Sequence, residues 1–293
     1  MDVRPATTDD LALIVDLQRR FDIAWFGASE HSPDEVAEFL GYAEPLPQDS
    51  LLAFDGERLV AVALRFGTDT VLTIDPALDC APVLDVLLPW FAAAPGRTEV
   101  LSRDDAAVAA IEAAGWTYEK STFDLLVDVD ADLELAEPVW PDGVVVRDFD
   151  RADVEAIHRL IYADAGWAEV PGHPERGLEE WRRIFVTANT KPELQVIAWR
   201  GERIVGVAMG RIWDDGTGWI AQLATAKDER GRGLGRAMLL EGLRRRVAAG
   251  ATTLGLSVQA TNEAALRLYL DAGLQIDREF RTYLPPPREL SAL

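Results

Sequence analysis

The sequence predicts an α/β protein of two tandem units, each a mixed, mostly antiparallel sheet flanked by helices. Three observations carry this. Segments of the first half recur in the same order in the second. Apolar runs of strand length alternate with amphipathic runs of helix length. Between the halves, Val129 to Asp142 carries Asp130, Asp132, Glu134, Glu137, Pro138 and Pro141 with little periodicity, as a linker does. The expected division is residues 1–130, a linker at 131–142, and 143–293, each half being an ordinary domain size.

The elements follow in chain order. Val3-Arg4-Pro5-Ala6, then Asp9-Asp10-Leu11 and Ile14, reads as a short strand and an N-capped helix. Val146-Arg147-Asp148-Phe149, then Ala152-Asp153-Val154 and Ile157, repeats it. Asp55-Gly56-Glu57-Arg58-Leu59-Val60-Ala61-Val62-Ala63 is a hairpin matched by Arg200-Gly201-Glu202-Arg203-Ile204-Val205-Gly206-Val207-Ala208. Trp219 to Ala226 reads as a buried strand. Arg236 to Ala249 reads as a helix with Ala237, Leu240, Leu243 and Val247 on one face. Thr253 to Val258 is a further strand. Asp104 to Gly115-Trp116 matches Asn262 to Gly273-Leu274, and a strand at Phe280 to Leu284 ends at Pro285-Pro286-Pro287.

Composition narrows the function classes. Of 293 residues, 48% are hydrophobic and 27% charged, as in soluble globular proteins. A net charge of −21 repels nucleic acid and anionic membrane, and the chain has no run of the roughly 20 apolar residues that span a bilayer. No basic-then-apolar leader opens the sequence, so the expected location is the cytoplasm. Cys80 is the sole cysteine, expected as a buried structural thiol. His31, His158 and His173 lack metal-ligand spacing, so no metal is expected.

The chemistry concentrates at Arg230-Gly231-Arg232-Gly233-Leu234-Gly235, between a strand and a helix. Glycines at a helix mouth let backbone N–H groups point outward, and with the helix dipole they suit a phosphate. Arg230, Arg232 and Arg236 add positive charge. The first half has Ile74-Asp75-Pro76-Ala77-Leu78-Asp79-Cys80-Ala81-Pro82 there, with no glycine, two prolines and two acids. One cofactor site per chain is expected, in the second half.

These residues resemble the GNAT superfamily of acyl-CoA-dependent N-acyltransferases. One signature of that family reads here as Leu223-Ala224-Thr225 followed by Arg230-Gly231-Arg232-Gly233-Leu234-Gly235. A second reads Asn262, Ala265, Tyr269 and Gly273, with Leu274 in place of Phe. The resemblance covers Val144 to Leu284, and the first half looks like a degenerate copy in a tandem arrangement. It implies acetyl-CoA as co-substrate and direct attack of a primary amine of a small molecule on the thioester within a ternary complex. The backbone of Gly231 through Arg236 would bind pyrophosphate, and Leu223 to Thr225, with Asn262, would hold the pantetheine arm. An N–H near Ala224 would polarise the thioester oxygen. Tyr269 would be the acid for the leaving thiolate. Ile111 stands at its place in the first half.

The base does not carry over: where many relatives have a glutamate, this chain has Trp219. Asp214 and Asp215 are candidates, and they also read as a hairpin turn; Gln222 could orient a water. The acceptor pocket is expected from Tyr162, Asp164, Trp167, Glu169, His173 and Trp181, with Trp219, since acids and aromatics suit a cationic amine. The strand at Phe280 to Leu284 is expected to close it. The protein is expected as a monomer or homodimer. A non-catalytic acyl-CoA sensor or scaffold is the competing expectation, and a nucleotide-binding oxidoreductase a third.

Overall fold

The computed structural model describes every residue except 44, 67–68, 93–95, 171–174, 188 and 287–293, so His173 and Pro287 lie outside the described residues. The chain forms two compact units. One comprises Met1–Phe123 with Gln259–Thr261 and residues 278–286, the other Asp124–Val258 with Asn262–Asp277.

The first unit runs β1 (Asp2–Arg4), α1 (Leu11–Phe26), α2 (Pro33–Tyr42), β2 (Ser50–Asp55), β3 (Arg58–Phe66), β4 (Asp69–Ile74), α3 (Ala81–Ala92), β5 (Arg97–Leu101), α4 (Asp105–Ala113) and into β6 (Thr117–Asp128). β1 to β4 pair antiparallel in sequence order, and β4 pairs parallel with β5. One face packs Ile14, Leu17, Val36 and Leu40 on Leu52, Leu59 and Val62. The other packs Leu84, Leu87, Phe91 and Ile111 on Val60, Ala61 and Val100. Cys80 is buried on that second face, and burial pushes its thiol pKa up.

The second unit repeats the order with β7 (Val144–Arg147), α5 (Val154–Arg159), α6 (Leu178–Phe185), β8 (Val196–Arg200), β9 (Arg203–Ile212), β10 (Thr217–Thr225), α7 (Leu234–Ala248), β11 (Thr253–Gln259) and α8 (Glu263–Leu270). A π-helical turn, Leu160–Asp164, continues α5. β7 to β10 pair antiparallel, and β10 pairs parallel with β11. Each unit is therefore the expected three-layer arrangement: helices on both faces of a mixed sheet, needed because a crossover helix covers each parallel pair. Residues 129–143 form no helix or strand.

The last strand, β12 (Gln275–Leu284), departs from simple tandem order. Phe280 to Tyr283 pair antiparallel with Leu101 to Thr98 of β5, and Tyr283 is buried in the core of the first unit. The segment expected to close a pocket in the second half is thus hydrogen-bonded into the first unit's sheet. Among the described residues, no helix is long and apolar enough to cross a membrane, and no cluster of three metal-ligating side chains occurs.

Candidate functional site

The site begins where β10 changes register. Thr217 to Ile220 pair with Thr253 to Leu256 of β11, and the ladder ends there although both strands run on. Against β9, Ile220 faces Gly210 and Gln222 faces Met209, which leaves Ala221 as one extra residue, a β-bulge. Two bonds at either end fix the consequence. Trp213 donates its N–H to Thr217 O, and Ala226 donates to Val205 O, both across to β9. Backbone groups alternate sides along a strand. Odd residues therefore face β9 before the bulge and even residues after it. The N–H groups of Leu223 and Thr225 consequently turn away from β9, towards the side where β11 has parted.

Side chains follow the same switch. Before the bulge, a Cβ on Gly218 would strike Arg246 of α7, and Ile220 lies against Gly242 of α7. After it, Leu223 packs with Leu234 and Met238 of α7, whereas Ala224 joins Ile157, Ile161 and Trp181 on the opposite face. Ala224 turns its backbone to β9, so the N–H groups near it that face the parted side are those of Leu223 and Thr225.

The loop Lys227–Gly233 carries β10 into α7. Gly231 (φ 74°) and Gly233 (φ 85°) are left-handed, which side-chain-bearing residues rarely adopt. Gly235 lies inside α7 and would tolerate a Cβ, with Thr225 Oγ1 at 3.5 Å, so the two earlier glycines shape the turn. No side chain caps α7 and no acid stands in its first turn, which leaves its N–H groups to an outside acceptor. Arg236 is exposed there without an ion pair among the described residues. The buried face of α7 includes Ala237, Leu240 and Leu243 as expected. Arg246 is fully buried, whereas Val247 is half-exposed.

Other loop residues are tied down. Lys227 Nζ is 2.6 Å from Glu169, Arg203 Nη1 2.7 Å from Asp228, and Arg230 Nη2 donates to Ala165 O at 2.6 Å. Arg200 grips buried Glu229 at 2.7 and 2.9 Å and holds its carboxyl below the usual range; Arg232 is 3.5 Å from it. Arg203 does the same to Asp228. Sequence reasoning missed Glu229 and Arg200. The signal available was the hairpin match, where Arg200 stands opposite Asp55, a reversal of charge between the halves.

Tyr269 lies in the last turn of α8 and is 7% exposed. Its hydroxyl takes no hydrogen bond from the described residues, and burial pushes its pKa from 10.0 up to about 12. Asn262 caps α8, accepting from Ala265 N at 3.3 Å, so its side chain helps to fix the helix bearing Tyr269. Ile111, the first unit's counterpart, is buried in apolar core.

The acceptor candidates divide. Tyr162 (3% exposed) and Trp181 (0%) are core residues; the His158 ring lies tilted to the first at 4.8 Å and edge-on to the second at 5.7 Å. Burial raises the Tyr162 pKa, and Trp181 Nε1 donates to Gln222 Oε1 at 3.0 Å, which fixes the amide that could orient a water. Asp164 faces Arg203 at 3.7 Å, and Trp167 is half-buried beside Glu169. The ring of Trp219 fills the space above Gly255. Asp215 accepts from Thr217 N and Oγ1 in the β9–β10 turn. At about 3.3 Å per residue, that turn lies roughly 25 Å along the strand from Leu223, which sets Asp214 and Asp215 well apart from the parted edge.

Residues 154–274 match the sequence profile of the Acetyltransferase (GNAT) family. A mycothiol acetyltransferase of Saccharopolyspora erythraea is 31% identical over 147 residues, 47% of this chain and 46% of that protein. One from Thermobispora bispora is 27% identical over 80% of this chain and 82% of its own. Several such relatives match over only about half their length. The fold is shared with a GCN5-related N-acetyltransferase from Sphaerobacter thermophilus (TM-score 0.77, 21% identity, 100% of this chain and 98% of that one). It is also shared with a tandem GNAT protein from the clavulanic acid biosynthesis pathway (TM-score 0.72, 14% identity, 98% and 99%).

Proposed function

We propose that this chain, whose residues 154–274 are an acetyltransferase domain of the GNAT family, transfers an acetyl group from acetyl-CoA to a primary amine of a small molecule, by direct attack in a ternary complex. The observation that carries the reading is the pairing of an uncapped, glycine-opened α7 with a parted β10 edge. The first suits a pyrophosphate, the second an extended amide-bearing arm and a thioester oxygen. Gly231 through Arg236 would hold the pyrophosphate, with Arg236 free to pair. The N–H of Leu223 or Thr225 would stabilise charge developing on the thioester oxygen.

Tyr269 is the group placed to meet the leaving thiolate. A phenol raised to about 12 is a weaker acid than a thiol near 8.5, so full proton transfer from it runs uphill. Its part is a hydrogen bond to the thiolate as the C–S bond breaks, before the proton equilibrates with water. No carboxylate stands at Trp219 to take the amine proton. The site therefore favours an amine that is already partly neutral at pH 7, such as an α-amine with pKa near 7.7–8.0, over a lysine-type amine near 10.4. The mycothiol acetyltransferase relatives make the amine of a mycothiol precursor the first acceptor to try.

The test is thiol release from acetyl-CoA with a panel of amines spanning pKa 7 to 10.5. Turnover on low-pKa amines supports the reading. Tight acetyl-CoA binding without turnover on any amine would instead favour a sensor, which the absence of the usual glutamate at Trp219 motivates.

A further inference from the structure

Arg246 is the most anomalous residue in the second unit. Its side chain is fully buried, and no carboxylate pairs with it among the described residues. Burial, with Arg245 alongside, pushes its pKa down to about 9. Burying an unpaired guanidinium costs several kcal/mol, so an apolar side chain would serve packing better.

The fold makes room for it at two glycines. A Cβ on Gly218 would lie 2.9 Å from Arg246 Cβ, and one on Gly210 2.7 Å from Nη2. All its hydrogen bonds go to carbonyls: Nε to Trp219 O at 3.1 Å, Nη1 to Gly242 O at 2.8 Å and to Leu194 O at 3.3 Å. Nη2 has no partner. Trp219 is two residues before the bulged Ala221. Gly210, opposite the bulge, could not be another residue, since its Cβ would sit 2.0 Å from Trp219 O and 2.9 Å from Ala221 N. The Gln195 side chain secures Gly210 from its far side, accepting from its N–H and donating to its C=O, both at 2.9 Å.

We propose that Arg246 is a positioning residue for the acyl group: by holding Trp219 O against α7 beside Gly210, it keeps the extra residue in β10 and so keeps the N–H groups of Leu223 and Thr225 turned to the parted edge. This rests on the acetyl-CoA reading above and deepens it. Without the bulge, strand alternation would return both N–H groups to β9, and the thioester oxygen would lose its donor while the pyrophosphate loop stayed intact.

The test is calorimetric titration of the full chain with CoA and with acetyl-CoA, beside amide hydrogen exchange on the unliganded protein. Wild type should prefer acetyl-CoA by about fivefold, the worth of one neutral hydrogen bond. Arg246→Met should hold CoA within about threefold and lose that preference, and Leu223 and Thr225 should exchange differently while α8 does not. Arg246→Lys, which keeps charge but fewer donors, gives an intermediate preference if the Met variant does not fold. Gly210→Ala should reproduce the Met result. A folded Arg246 variant with wild-type preference and wild-type exchange overturns the proposal, as does equal loss of both ligands. A wild type that binds neither ligand sinks the acetyl-CoA reading, and the exchange arm still decides whether Arg246 holds the bulge.

Discussion

The same passage, strand to loop to helix, is built twice in this chain and finished differently. In the second unit, β10 carries a bulge, its loop turns through Gly231 and Gly233, and α7 opens uncapped. In the first, β4 pairs with β3 from Asp69↔Phe66 to Ile74↔Ala61 with no shift of register. Aligned at the Gly-Glu-Arg turn, Arg65 stands where Gly210 does, and its guanidinium lies over Trp90 instead. Asp75 follows the strand; it is buried and held by Arg58 at 2.5 Å and Arg20 at 3.1 Å. Asp79 then accepts from Ala81 N at the mouth of α3. In the first unit, Asp75 and Asp79 accept from the backbone N–H groups of Ala77 and Ala81 at this place, whereas no side chain caps α7 in the second. The units differ here at a handful of backbone positions, while the layers around them stay the same.

The largest expected effect breaks that difference at the loop. Gly233→Glu forces a side chain into a left-handed position and sets a carboxylate where phosphate would sit. Like charges about 4 Å apart cost roughly 4 kcal/mol near a protein surface, so acetyl-CoA affinity measured by calorimetry should fall about 10³-fold. Next comes Tyr269→Phe, which makes the second unit resemble the first at α8. Its kcat should drop by about 10²-fold, with KM for acetyl-CoA within about threefold, in steady-state assays with a competent amine. Because burial raises the Tyr269 pKa to about 12, its neutral form persists as pH rises. The wild-type kcat should therefore show no basic limb from this group between about pH 8 and 10 in a pH–rate profile. The smallest effect lies in the first unit. Asp79→Ala removes the carboxylate at the mouth of α3 and should cost about 1 kcal/mol of stability in denaturant unfolding, leaving acetyl-CoA affinity unchanged.

Much of this was legible in the sequence. Element order, the tandem repeat and the glycine loop follow from periodicity and turn chemistry, which are local properties. Asp79 and the prolines of the first half's loop likewise marked the half that should not bind. The bulge was not legible, because one extra residue leaves the run Trp219 to Thr225 still reading as a strand. Its traces were a glycine at 210, another at 218 and an arginine among the apolar positions of α7, each ordinary alone. Which N–H groups near Ala224 face the parted edge, those of Leu223 and Thr225, was hidden for that reason. Tyr162 lies buried in a π-helical turn, and helical periodicity does not foresee such a turn. Phe280 to Tyr283 joined β5 because strand pairing is a tertiary choice that composition does not encode.

The central claim, that one unit binds acetyl-CoA and its copy does not, is tested most directly by the stoichiometry of acetyl-CoA binding to the full chain in isothermal titration calorimetry. One equivalent is expected, removed by Gly233→Glu. Two equivalents, or one equivalent that survives Gly233→Glu, would contradict it.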